Sequence, residues 1–172
     1  MLRIIILSLS LLASSLSSIA QNLTFDELLS LRKKSLSGVE EYLNIKGWKF
    51  LEAAEPVGFD KLGNVTFTYK KNYINDLAES FFSYYYSDYD SNRIAVQVHK
   101  PDIYNKYLAR IRSLGMRLIN TEVENGNMIK IYQGKTTTVK VTISSQQEDY
   151  SDSHKTIYRF FILSNFDYNT YL

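Results

Sequence analysis

Six aromatics fall within Phe81-Phe82-Ser83-Tyr84-Tyr85-Tyr86-Ser87-Asp88-Tyr89, the densest run of side chains in this chain that could recognise a partner. If the run is a strand, alternation sends Phe82, Tyr84 and Tyr86 to one face and Phe81 and Tyr85 to the other. One set then fills a core, while the other stands on the surface. The expectation is that Phe82, Tyr84, Tyr86 and Tyr89, with the acidic turn residues Asp88 and Asp90, form a binding surface. Tyr supplies a large contact area at low entropic cost and is enriched at interfaces.

Other chemistry is thinner. Asp88 and Asp90, and again Glu148, Asp149 and Asp152, gather carboxylates over a few residues. Neither group has the central glycine and terminal glutamate of an EF-hand loop, and Asp, Ser and Asn are ordinary hairpin residues. Both read as structural turns, and no metal or other cofactor is expected. His99 and His154 are the only histidines and have no nucleophile motif around them. Carboxylates are numerous enough for a glycosidase-like pair, but none is singled out by position. The chain therefore reads as a non-enzyme. Gly63-Asn64 and Gly126-Asn127 read as hairpin turns rather than phosphate loops, since neither leads into a helix.

The elements that must position these residues follow from hydrophobic period. Thr24 and Glu27 form a capping box, and Leu28, Leu31, Leu36, Val39 and Leu43 trace an apolar stripe over a helix from Thr24 to Lys46 that Gly47 stops. Ser37-Gly38 is the place for a bend or break. Strands are predicted near Trp48–Ala53, Val65–Lys70, Glu79–Tyr86 and Arg93–His99. A second helix opens at Pro101 and runs to Gly115, followed by strands near Met116–Thr121, Met128–Tyr132, Thr137–Ser144 and Thr156–Leu163.

The order is one helix and four strands, written twice. Gly47-Trp48-Lys49-Phe50-Leu51 aligns with Gly115-Met116-Arg117-Leu118-Ile119, each a helix-ending glycine before an apolar, basic, apolar, apolar run. The expected fold class is α+β: two tandem α-β-β-β-β repeats, about 24–99 and 101–165, forming an antiparallel sheet with helices packed on one face. In order of elements the chain resembles the β-lactamase inhibitor proteins, whose tandem repeats present a concave sheet to a protein target. That resemblance implies a fold and an open binding face, and the absence of cysteine departs from the family.

Arg3, the apolar run Ile4–Leu12 and the small-x-small triplet Ser18-Ile19-Ala20 read as a signal peptide over residues 1–20, with Gln21 as mature N-terminus. The remaining length suits a single domain over 21–172 without a further membrane span. The expected location is periplasmic or secreted, and in composition the chain resembles small exported proteins of Gram-negative bacteria. With 20 basic and 18 acidic side chains and no long Lys/Arg run, a nucleic acid partner is not expected. The sequence points to an exported binding protein with a protein or glycan partner of the envelope or extracellular space. A structural subunit of the envelope and a hydrolase of envelope polymers are the alternatives, and oligomeric state is left open.

Overall fold

The computed structural model of the chain describes residues 23–56, 62–72, 78–87, 91–147 and 154–172. Thr24 caps helix α1 (Phe25–Leu31) through the complete capping box with Glu27. The predicted long helix does not continue, because Ser35 starts a second one, α2 (Leu36–Ile45), by accepting a hydrogen bond from the Gly38 amide. The break therefore falls before Ser35, and Gly38 lies in the first turn of α2. A serine that can cap competes with helix continuation at this point.

Four strands follow: β1 (Trp48–Ala54), β2 (Gly63–Tyr69), β3 (Ser80–Tyr86) and β4 (Arg93–Val98). Helix α3 (Pro101–Ser113) has its proline in the first turn, where a missing N–H costs no hydrogen bond. Strands β5 (Arg117–Glu124), β6 (Asn127–Gln133), β7 (Thr137–Gln147) and β8 (His154–Ser164) complete the sheet. Asn125 and Gly126, both at positive φ, make the β5–β6 turn, the backbone a two-residue hairpin requires. Gly63 is not in a turn: it opens β2. A terminal helix α4 (Asn165–Tyr171), which the sequence reading did not include, is capped by Ser164.

The fold is α+β, with four helices among the described residues and one eight-stranded antiparallel sheet of order β1-β2-β3-β4-β8-β7-β6-β5. Two four-strand meanders meet where β4 pairs with β8, through Ile94↔Ile162, Ala95↔Phe161 and Val96↔Phe160. The sheet edges are β1 and β5. Each carries exposed charge, Lys49 and Glu52 on one and Arg117, Glu122 and Glu124 on the other, which discourages edge-to-edge aggregation.

The core lies between the helices and one face of the sheet. Phe25, Leu28 and Leu31 of α1, Val39 and Leu43 of α2, and Tyr107, Leu108 and Ile111 of α3 meet Trp48, Phe67, Phe82, Tyr84, Val96, Val141 and Phe160. In β3, Ser80, Phe82 and Tyr84 are buried while Phe81, Ser83 and Tyr85 are half-buried, so the alternation holds. The assignment of faces does not. Phe82 and Tyr84 were expected on the binding surface and are 0% and 1% exposed beneath the helices. Phe82 stands edge-on to Trp48 at 6.3 Å between ring centroids, and the Tyr84 hydroxyl donates to the Lys34 carbonyl at 2.6 Å. A Tyr whose hydroxyl finds a backbone acceptor can be buried whole.

Tyr84 thus ties the α1–α2 connection to the sheet with one hydrogen bond and fills the core with its ring. Tyr84→Phe is expected to lose about 1 kcal/mol of stability and Tyr84→Ser about 3–5 kcal/mol. Urea unfolding followed by circular dichroism measures both; equal losses would show that the ring contributes nothing beyond its hydroxyl.

Candidate functional site

The face of the sheet away from α1, α2 and α3 is where the remaining aromatics stand. Phe81, Gln97 and Arg159 lie side by side across β3, β4 and β8, as do Ser83, Ala95 and Phe161 in the next row of the same face. The Tyr85 ring meets Phe161 edge-on, with centroids 5.7 Å apart and planes at 86°. Arg159 donates from Nη2 to the Tyr85 hydroxyl at 3.0 Å. Phe81, Tyr85 and Phe161 are half-buried and Arg159 is exposed. Two rings and a guanidinium are therefore held in fixed relation on the surface. The guanidinium keeps donors for a carboxylate or carbonyl, and the rings give apolar contact area with little rotamer entropy to lose.

The ladder on this face is mixed: Ala95, Ile129 and Ile131, each 3% exposed, stand among Thr66, Gln97, Lys140 and Thr142. Residues Tyr85, Arg159 and Phe161 are those that the sequence reading did not select. The paired Phe160-Phe161 was the available signal, since adjacent strand residues must point to opposite faces. Of the residues it did select, Phe82 and Tyr84 are in the core, and Tyr86 is half-buried on the helix side, stacked at 6.2 Å on Tyr84. Asp88, Tyr89 and Asp90 lie outside the described residues, as do Glu148, Asp149 and Asp152.

One end of this face is closed by α4. Asp167, buried, accepts from Ser91 and Ser164 hydroxyls at 2.6 Å each and from Arg93 Nη2 at 3.3 Å. Burial by itself would raise the Asp167 pKa, but the serine hydrogen bonds and the Arg93 charge outweigh it and hold the carboxyl below its ordinary value. The Tyr171 ring lies 4.8 Å over the Arg93 guanidinium. This cluster anchors α4 and contains no histidine. His154 begins β8, and His99 follows β4, where burial, reinforced by the Lys155 charge, lowers its pKa. Among the described residues no group of three His, Cys, Asp or Glu side chains could hold a metal ion, and no helix is long and apolar enough to cross a membrane.

Among the described residues, Glu27 is a strongly shifted carboxylate. It accepts from the Thr24 amide at 2.6 Å, from Lys46 Nζ at 2.6 Å and from the Tyr42 hydroxyl. Burial pushes its pKa up; the hydrogen bonds from Lys46, Tyr42 and Thr24 outweigh burial and take it from 4.5 to about 2. Lys46 responds in the opposite sense, raised chiefly by its hydrogen bond to Glu27. All of these partners are structural: the carboxylate joins the start of α1 to the end of α2. Comparison of the chain with protein-family models, with curated proteins and with solved structures finds no match in any of the three.

A carboxylate whose folded pKa is depressed contributes stability that is complete above its unfolded value and is lost as pH falls through the folded one. Glu27 is therefore expected to contribute of order 2 kcal/mol at neutral pH, lost between about pH 5 and pH 2. Thermal or urea unfolding of wild type and Glu27→Gln across that window tests it. The two stability curves should converge toward pH 2, and parallel curves would refute the assignment.

Proposed function

We propose that this chain is an exported, non-enzymatic binding protein, built from two tandem helix-plus-four-strand repeats, that holds a protein partner on the sheet face opposite its helices. The observation that carries the reading is the Tyr85–Phe161–Arg159 cluster, fixed on the sheet face opposite the helices and outside the core. Buried aromatic and Arg anchors contribute most at interfaces, and the hydrogen bond to Tyr85 sets the guanidinium before a partner arrives.

The repeat reading has support in register. Helices α2 and α3 each end before a glycine at positive φ, Gly47 at 81° and Gly115 at 74°. The edge strands carry a ladder irregularity at matching places, between Phe50 and Glu52 in one and between Leu118 and Asn120 in the other. Matching Phe50 with Leu118 then matches Phe67 with Tyr132, Phe82 with Val139 and Val96 with Ile162 along the ladders. The same rule carries the Ala95↔Phe161 pair onto itself and exchanges Val96↔Phe160 with Ile94↔Ile162, as a two-fold axis through that pair would. Duplication followed by pairing of the two fourth strands accounts for the sheet order, and it sets the aromatic cluster beside the axis. The order of elements resembles the β-lactamase inhibitor proteins, consistent with a sheet face that receives a protein.

Export rests on the leader-like residues Arg3 and Ile4–Leu12 and on the Ser18-Ile19-Ala20 triplet. The intact mass of the chain recovered from a Gram-negative host is expected to correspond to a start at Gln21; recovery of the uncut chain in the cytoplasm would overturn export.

Binding is tested by capture from the native envelope with wild type and with Tyr85→Ser/Phe161→Ser, both checked for fold by circular dichroism. A protein retained by wild type should be lost by about tenfold or more in the variant. Recovery of the same partner in equal amount would move the site elsewhere.

A further inference from the structure

On the helix side of the sheet, where α2 passes over β1 and β2, the packing leaves an open hollow of about 460 Å³. Phe50, Phe67 and Tyr86 supply three aromatic walls, Leu36 an aliphatic one, and Glu40 and Glu55 two carboxylates. Leu36 and Glu40 are one helical turn apart, so both face the hollow, whereas Glu55 comes from the chain just past β1. Ala53 and Ala54 leave the space that larger strand residues would fill.

We propose that this hollow receives a single basic side chain, Lys or Arg, presented by a segment of a protein partner. The argument starts from charge. Both carboxylates are exposed, and among the described residues neither has an ion-pair partner, unlike Asp26, Glu27 and Glu79. Two uncompensated anions beside three aromatic rings complement a cation, which the rings attract by their quadrupoles and the carboxylates by charge.

Two of the three aromatic walls, Phe50 and Tyr86, are not what the fold demands. Phe50 meets Phe67 edge-on at 6.4 Å and yet remains 60% exposed at the sheet edge, where burial gains little. By the register given above, the other half of the sheet carries Leu118 and Ile143 in place of Phe50 and Tyr86, Leu108 in place of Glu40, and Tyr132 in place of Phe67, so aliphatic residues serve at two of the three aromatic positions. Tyr86 is held against β2 because Gly63 lies opposite it: a Cβ there would sit 2.7 Å from the Tyr86 ring and 2.8 Å from Pro56. A side-chain-free position under the ring fixes the wall of the hollow.

The hollow's openness chooses the carrier. A free small molecule is held by enclosure over most of its surface, and this hollow is open on one side. A side chain on a larger body needs only its tip enclosed, since the body adds contact outside the hollow. This site is separate from the aromatic face opposite the helices, so either can fail without the other.

The test is an NMR titration of the isotope-labelled folded chain with acetyl-Gly-Gly-Arg-Gly-Gly-amide and its Lys, Gln and Glu counterparts, with tetramethylammonium as the small-cation arm. The Arg and Lys peptides should shift the backbone amides of Leu36, Glu40, Phe50, Glu55 and Tyr86 in the millimolar range, and the Gln and Glu peptides should not. Glu40→Gln/Glu55→Gln, both exposed positions that leave the core intact, should weaken the effect about tenfold. No shifts with the Arg and Lys peptides at about 10 mM, equal shifts with the Gln peptide, or an unchanged double variant would each overturn the proposal. Tighter binding of tetramethylammonium than of the peptides would overturn the assignment to a protein side chain.

Discussion

The pairing of β4 with β8 is the constraint on which the rest of this structure depends. Each four-strand meander ends in a strand whose outer N–H and C=O groups would otherwise face water or a neighbour. Joining the two fourth strands satisfies both rows at once and makes a single sheet. It also brings α1 and α3 onto the same core, where Phe25 meets Tyr107 at 5.9 Å and Tyr107 meets Phe160 at 5.1 Å. The Tyr107 hydroxyl then donates to the Leu23 carbonyl, tying the start of the described chain to the second half. The halves therefore share an interior, although each strand ladder is local in sequence on its own side of the seam.

Two kinds of polar contact hold the outer parts to this interior. Glu27 gathers donors from α1 and α2, and Arg110 of α3 forms an exposed multidentate pair with Asp26 at 2.9 Å. The first is part-buried and is screened less than the second, which is exposed and adds orientation more than stability. At the opposite end, Asp167 and Arg93 fasten α4, with hydroxyls from Ser91 and Ser164 completing the shell around the carboxylate. A buried carboxylate with three donors is stabilising only while all remain, which makes this end sensitive to loss of any one of them.

Much of the architecture was legible in the sequence because its signals are local and periodic. Pro101, Gly115 and the apolar stripe through Tyr107, Leu108 and Ile111 mark α3 without reference to anything distant. Alternation in Ser80–Tyr86 is equally plain. What alternation lacks is a label for inside and outside, and in a strand with aromatics on both faces the decision belongs to the helices that pack against one of them. Tyr84 went inward because the Lys34 carbonyl was within reach of its hydroxyl, a contact across fifty residues of sequence. The split of α1 from α2 turned on Ser35 competing for its own helix start, and α4 on Ser164 doing the same immediately after a strand. The cluster of Tyr85, Arg159 and Phe161 joins residues far apart in the chain and becomes visible only when β3, β4 and β8 are placed side by side.

Trp48, the sole tryptophan of the chain, is fully buried between Tyr69 at 5.4 Å and Phe82 at 6.3 Å. Its indole is therefore a spectroscopic address for the β1–β3 end of the sheet alone. Its emission reports the dry interior there and accepts excitation energy from the surrounding tyrosines, while the β5–β7 end has no comparable fluorophore. A chain that loosened one half before the other would show it as a disagreement between tryptophan fluorescence and the far-ultraviolet signal of the whole sheet.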